Sequence, residues 1–125
     1  MPVPKGSLGL VANSVDIGAV RQLEEQLGTD ELSGLVKVFL GRAPGQLANL
    51  RATAAVADAP GLRAEADSLK GRARSLGAAE IGEVAARIEH DTARGSLESV
   101  PELLDALDAS LERTRIEMAA LSQPG

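Results

Sequence analysis

The chain has 125 residues, of which 44% are hydrophobic and 25% are charged, and its formal net charge is −5. A chain of this length forms one small domain. It contains no cysteine, which excludes disulfides, thiolate zinc sites and cysteine nucleophiles. The acidic balance argues against a general nucleic-acid-binding protein. The apolar share is mostly Ala, Leu and Val, with Phe39 as the single aromatic residue, so we expect packed helices rather than a sheet.

The first residues combine proline, glycine and a short apolar patch. The patch is too short for a membrane span or for the core of a signal peptide. We therefore predict a flexible leader over residues 1–13, followed by one helical domain over residues 14–122. We also expect a cytoplasmic monomer without a membrane segment.

The first helix is predicted from about Asp16 to Leu27. Gly28 ends it, and Thr29 is predicted to cap the second helix. The inward face of the first helix is predicted to comprise Ile17, Val20, Leu23 and Leu27.

The second helix carries a long apolar stripe that is interrupted by Pro44 and Gly45. Proline in a helix interior costs about 3 kcal/mol, so two shorter helices are one expectation. Because the stripe keeps its phase across the interruption, we favour a single bent helix. The stripe comprises Leu32, Leu35, Val36, Phe39, Leu40, Leu47, Leu50 and Ala54.

The third helix begins with a cap-and-proline signal, Asp58 followed by Pro60, and runs to about Leu76 before Gly77. The fourth is predicted from about Ala78 to Arg94. The fifth is predicted from about Ser99 to Leu121. The inward residues are Leu62, Ala66, Leu69, Ala73 and Leu76 on the third helix, Ile81, Val84, Ala85 and Ile88 on the fourth, and Val100, Leu103, Leu104, Leu107, Leu111, Met118 and Leu121 on the fifth.

This order of amphipathic segments predicts an all-α fold. The second to fifth helices form an antiparallel four-helix bundle, and the first is a short N-terminal capping helix.

The core stripe of the third helix also fixes the residues that face outward. One of these, Gly71, is unexpected, because glycine inside a helix costs roughly 1 kcal/mol relative to alanine. A spot without a side chain beside charged residues indicates that another backbone approaches there. The alternative is a tolerated glycine in a glycine-rich chain. The outward strip is predicted to comprise Arg63, Asp67, Lys70, Gly71 and Arg74.

Charge is distributed unevenly along the sequence. Residues 62–76 hold four bases and two acids, a balance of +2, whereas residues 80–117 hold ten acids and four bases, a balance of −6. The basic excess therefore coincides with the outward strip of the third helix. The acidic fourth and fifth helices are most simply a solvated face.

The third helix also carries a sequence motif. Residues 67–71 read Asp-Ser-Leu-Lys-Gly, and residues 76–78 read Leu-Gly-Ala. With Phe39-Leu40 on the second helix and Arg87-Ile88-Glu89 on the fourth, these segments resemble the histidine-containing phosphotransfer (HPt) domain family over about residues 15–120. In that family an exposed histidine on a helix precedes the Leu-Lys-Gly segment.

The resemblance implies a partner and a set of contact residues. In the family, the histidine attacks the aspartyl phosphate of a response-regulator receiver domain and later passes the phosphoryl group on. The matching positions imply that Lys70 attracts the phosphoryl group and that Gly71 lets the receiver approach. A receiver domain is therefore the expected partner, and a histidine kinase is a second candidate. The predicted partner-binding residues are Arg63, Asp67, Ser68, Lys70, Gly71 and Arg74.

At the position of the reactive histidine this chain has Asp67. A neutral imidazole is nucleophilic near pH 7, whereas a carboxylate normally needs a metal and a charge-neutralising pocket to become an acyl phosphate. We therefore expect no catalytic residue, no enzyme activity, and neither a cofactor nor a metal site. Arg72 is a second departure, since the family usually has a small residue after the glycine.

Three explanations of Asp67 remain open. The chain is a natural pseudo-phosphotransfer domain that docks on receivers, or the histidine of a phosphorelay phosphotransfer protein has been substituted, or the same face carries other chemistry. For function, the leading hypothesis is receiver docking without phosphotransfer. A structural bundle that does not bind receivers is the alternative of another class.

Two further residues complete the interpretation. Leu62, with apolar residues of the second helix, is expected to complete a mixed apolar and basic patch beside the strip. The one histidine, His90, is predicted to be an exposed surface residue rather than a displaced phosphoacceptor. With one histidine and no cysteine, a transition-metal site is not expected.

Overall fold

The computed structural model describes residues 14–121 and is all-α over that range. The predicted leader over residues 1–13 and the last predicted domain residue, Ser122, lie outside the described residues. The predicted helices are all present, with bounds close to those expected from their caps. They are α1 (Ile17–Leu27), α2 (Thr29–Ala55), α3 (Ala59–Ser75), α4 (Ala79–Ala93) and α5 (Val100–Leu121).

Four of the helices form a closed bundle. Helix α2 packs against α3 and α5, and α4 packs against the same two helices from the other side. Helix α1 packs against α2. The predicted antiparallel four-helix bundle with a short N-terminal helix is confirmed. No helix among residues 14–121 combines the length and the apolar character that a membrane span requires.

Caps and glycines set the helix ends. The Asp16 and Asp58 carboxylates accept hydrogen bonds from the first-turn backbone N–H groups of α1 and α3, at 3.1 and 3.0 Å. The predicted cap at Thr29 is wrong. Gly28 occupies the N-cap position of α2 with a φ of +89°, and the Thr29 hydroxyl instead donates to the Glu24 carboxylate of α1.

Helix α2 continues through Pro44 as one helix, as the unbroken phase of its stripe predicts. Pro44 is exposed, so water can reach the carbonyl that loses its helical donor. Phe39 and Leu47 are buried on either side of the proline. Their packing against the neighbouring helices outweighs the cost of the missing hydrogen bond.

The core contains small residues where helices approach and large aliphatic residues between them. Two residues that were predicted to face inward do not. Ile17 is 45% exposed and Leu35 is 43% exposed. Ile17 is the first residue of α1, which first reaches the core at Val20, and Leu35 lies on the flank of α2 beside an open groove. The fully buried large side chains include Leu50, Leu62, Ile81, Ile88, Leu107 and Val100.

The entrance to α1 is fastened to the turn between α3 and α4. The Asp16 N–H donates to the Gly77 carbonyl at 2.8 Å, and the Glu80 N–H donates to the buried Ser14 carbonyl at 3.0 Å. Val20 of α1 packs directly on Gly77. Helix α1 thus covers the end of the hairpin that presents the outward face of α3.

Candidate functional site

The core stripe of α3 holds the opposite side of that helix in solvent. Leu62, Ala66, Leu69 and Ala73 are each at most 2% exposed. A helix turns by about 100° per residue, so Asp67 and Gly71 lie on the side of α3 opposite this stripe. The structure confirms that both are exposed.

Lys70 links the centre of this face to α4. Its Nζ lies 3.3 Å from Asp67 Oδ1 and 2.5 Å from Glu89 Oε1. The pKa of Lys70 is raised above its ordinary value, and the largest cause is the hydrogen bond with Glu89. Desolvation opposes this rise, and the contact with Asp67 adds to it. Lys70 is therefore a fixed cation at neutral pH, shared between two carboxylates.

The prediction that Lys70 lies on the exposed strip needs correction. Its side chain is only 24% exposed, whereas that of Asp67 is 60% exposed. Lys70 lies over the seam between α3 and α4, because Glu89 draws it toward α4. The sequence analysis missed Glu89 as a site residue, although the residue lay within a motif segment. Lys70 and Glu89 lie on different helices, so no sequence spacing would have indicated their contact.

Arg74 and Arg63 flank the centre in different ways. The stem of Arg74 lies over Gly82 of α4, where an added Cβ would be 3.0 Å from Arg74 Cγ. Arg74 therefore belongs to the α4 side of the face. Arg63 is exposed, one helical turn before Asp67.

On the other side, Arg72 connects α3 to α2. Its guanidinium donates to the Ser68 hydroxyl at 2.5 Å. It also reaches the side-chain amide of Gln46 on α2, in the amide orientation that pairs the oxygen with the guanidinium. The predicted contact residue Ser68 is thus already engaged by Arg72.

Gly71 has no structural reason to be glycine. A Cβ at this position would meet nothing within 4 Å. The same is true of Gly34, Gly41 and Gly45 on α2, so exposed helical glycines recur in this chain. The open space agrees with a close approach by a partner, but it is not peculiar to Gly71.

An apolar groove lies beside the face, between α1, α2 and α3. It has a volume of about 310 Å³, and Leu35, Val38, Arg42 and Arg72 are among its lining residues. Leu35 is 43% exposed and Val38 is 52% exposed. The expected role of Leu62 in this patch is wrong, because its side chain is fully buried as part of the α3 core stripe. The large apolar side chains exposed along the groove are those of α2, Leu35 and Val38.

His90 is exposed on α4, as predicted. Its neighbour Glu89 faces Lys70, whereas His90 adjoins Glu83 and Arg87 of its own helix. Among residues 14–121, no cluster of three or more His, Asp or Glu side chains is positioned to hold a metal ion.

The structure thus groups Asp67, Gly71 and Arg63 on one face of α3, with Lys70 and Arg74 toward α4 and with Ser68 and Arg72 toward α2. We call this surface, together with the exposed groove residues Leu35 and Val38, the α3 face.

Comparison with known proteins agrees with this arrangement. The family described as "Hpt domain" matches residues 34–117, which is 84 of the 125 residues. A search of the curated proteins finds no match. The fold is similar to the crystal structure of histidine-containing phosphotransfer protein B (HptB) from Pseudomonas aeruginosa PAO1, with a TM-score of 0.83 and 27% sequence identity. That similarity covers 90% of this chain and 96% of the other.

The matched segment includes most of α2, all of α3 and α4, and most of α5, and therefore the whole surface described above. The chain belongs to the Hpt domain family, the phosphotransfer modules of phosphorelays.

Proposed function

We propose that this domain docks a receiver domain through the α3 face and does not relay a phosphoryl group. One observation carries the proposal. The Asp67 side chain is 60% exposed on α3, at the position where the resemblance places the family's reactive histidine, and Lys70 Nζ lies 3.3 Å from its carboxylate. The resemblance thus leaves Lys70 beside a carboxylate rather than beside the imidazole that accepts the phosphoryl group in the family.

Docking is supported by the composition of the face. The half-exposed Leu35 and Val38 offer an apolar contact, and Arg42 and Arg72 border them. Mixed surfaces of this kind combine apolar burial with charge complementarity that selects and orients the partner. The positive balance of residues 62–76 suits an acidic partner surface.

Lack of transfer is supported by the surroundings of Asp67. An aspartate that accepts a phosphoryl group brings a carboxylate and a phosphate together, and their charges must be neutralised. The nearest cation, Lys70, is already shared with Glu89 at 2.5 Å. At neutral pH the carboxylate is also a poor nucleophile compared with the imidazole that it replaces.

A second candidate is a phosphotransfer protein whose histidine has been substituted. The positions of Lys70 and Gly71 favour it, because the residues that serve the family's histidine remain on the face. Both candidates share the docking surface and differ only in the origin of Asp67. A scaffold that does not bind receivers would leave the exposed groove residues Leu35 and Val38 without a partner.

The test is to restore the nucleophile. Asp67→His is incubated with phosphorylated receivers from a panel, and transfer and binding are both measured. In the variant, an imidazole nitrogen attacks the phosphorus of the aspartyl phosphate. The N–P bond forms as the P–O bond to the receiver carboxylate breaks. We expect transfer to Asp67→His and none to the unchanged protein, with binding by both.

Asp67→Asn serves as the control, because it removes the charge without supplying a nucleophile. Loss of binding and of transfer in every protein and with every receiver would overturn the proposal. Transfer to the unchanged protein would contradict the claim that Asp67 does not relay.

A further inference from the structure

The cluster at the centre of the α3 face has a net negative charge, although the α3 segment as a whole is basic. Lys70 is the cation between Asp67 and Glu89, so the three groups together sum to −1 (two carboxylates and one ammonium). The side chains of Lys70 and Glu89 are only 24% and 22% exposed, whereas that of Asp67 is 60% exposed. A docked partner therefore meets the Asp67 carboxylate first.

Phosphorylation of the receiver changes its charge at the point that would face Asp67. A phosphoryl group adds one or more negative charges near neutral pH and brings three acceptor oxygens. An unpaired cation on α3 would attract that charge. Here Lys70 already donates a hydrogen bond to Glu89 and forms an ion pair with Asp67. Asp67 occupies the position at which the resemblance would place the phosphoryl group.

From this arrangement we infer that the domain discriminates between the two states of its receiver and binds the unphosphorylated form more tightly. The inference rests on the proposed function, because it concerns the same face and the same partner class. Like charges a few ångströms apart at a partly desolvated contact change affinity by about tenfold at low ionic strength. That factor is large enough to separate phosphorylated from unphosphorylated receivers.

The flanking cations do not account for such discrimination. Arg63 and Arg74 lie on either side of the centre in the unchanged protein and remain there in any variant of Asp67. A comparison of Asp67 with a neutral isostere therefore isolates the charge at this one position.

The experiment measures four affinities by titration calorimetry. The unchanged protein and Asp67→Asn are each titrated with one receiver that binds in the panel, with and without beryllofluoride as an analogue of the acyl phosphate. We expect the unchanged protein to bind the beryllofluoride form about tenfold more weakly, and Asp67→Asn to lose most of that difference. Asp108→Asn, an exposed change of the same charge on α5, keeps the preference of the unchanged protein.

The outcomes separate the two proposals. Equal or tighter binding of the beryllofluoride form by the unchanged protein would overturn the inference and leave receiver docking intact. So would a preference that survives in Asp67→Asn, since it would then reflect the conformation of the receiver. No binding by any variant to either form would overturn the proposed function, and this inference with it.

Discussion

At the scale of single residues, the site depends on one lysine with two acidic neighbours. Lys70 lies 3.3 Å from Asp67 and 2.5 Å from Glu89, and this second contact moves it from the open strip to the seam with α4. Under the proposed function, Asp67 takes the place of the family's nucleophile and also engages the cation that the resemblance assigns to the phosphoryl group. In that proposal, the change from histidine affects more than one position.

The pKa of Lys70 provides a direct check on this arrangement. Glu89→Gln should lower it toward the ordinary value of 10.5, since the Glu89 hydrogen bond is the largest cause of the upward shift. Because the folded pKa is raised, the stability contributed by the contact is fully present below pH 10.5 and is lost as pH rises through the folded pKa. Titration of the lysine Cε carbon signal by NMR measures the shift. A larger fall in Asp67→Asn than in Glu89→Gln would contradict the assignment.

A substitution at Gly71 should affect receiver affinity and folding stability in opposite directions. Leucine at this exposed helical position should raise the free energy of unfolding by roughly 0.5–1 kcal/mol, because glycine is the poorer helix former. We expect Gly71→Leu to weaken receiver binding as well, since the new side chain occupies the space that the partner's backbone needs. Urea denaturation and titration calorimetry measure the two effects.

Gly71→Ala is the matched control, because alanine removes the same helix-propensity cost with a single methyl group. It should stabilise the fold by a similar amount and weaken receiver binding much less than Gly71→Leu does. Equal affinity of the unchanged protein and Gly71→Leu would argue against a close approach at this point.

The sequence predicted part of the site. The phase of α3 followed from its own apolar spacing, so the outward positions of Asp67 and Gly71 were predictable. Glu89 and the Arg72–Gln46 contact were not, because they join different helices. The predicted surface role of Leu62 was wrong because Leu62 belongs to the core stripe of α3, and a residue of that stripe cannot also lie on the surface.

At the scale of elements, the caps and glycines of this chain determined the helix bounds well. Asp58 and Gly77 were recognised from local chemistry, and α2 continues through Pro44 because its stripe kept phase. The errors concern residues whose exposure depends on tertiary packing, such as Ile17 and Leu35. Local pattern identifies a helix face but does not say how much of that face its neighbours cover.

The α3–α4 turn gives a test at this scale. Gly77 has a φ of +80°, and an added Cβ would lie 2.9 Å from Val20 Cγ2. Gly77→Ala should cost about 2–3 kcal/mol, from backbone strain and from displacement of α1. Urea denaturation measures the loss.

Gly95 is the matched comparison for this turn. It has a similar φ of +78° but open space around the Cβ position, so Gly95→Ala should cost only about 1 kcal/mol. Equal losses at the two glycines would show that α1 does not press on the turn.

At the scale of the whole molecule, charge divides the bundle. The segment of α3 is basic, while the region from α4 to α5 is acidic. This division gives a partner one favourable direction of approach. That the protein is a cytoplasmic monomer stays a prediction.

The division of charge predicts salt dependence. Receiver affinity should fall severalfold between about 50 and 300 mM salt, as screening shortens the range of the exposed cations. Arg72→Gln should reduce this dependence, whereas Arg51→Gln, which removes a cation paired with Asp105 on α5, should not. Isothermal titrations at several salt concentrations compare the two. The same slope for both variants would place the contact elsewhere on the bundle.

The most direct test of receiver docking is the footprint of a bound receiver on the isotope-labelled domain, read from amide shifts in NMR spectra. We predict perturbations along the outer side of α3 from Arg63 to Arg74 and on the α2 flank from Leu35 to Gln46, with little change around His90. Perturbations confined to the outer surfaces of α4 and α5, or none with any receiver in the panel, would contradict the central claim.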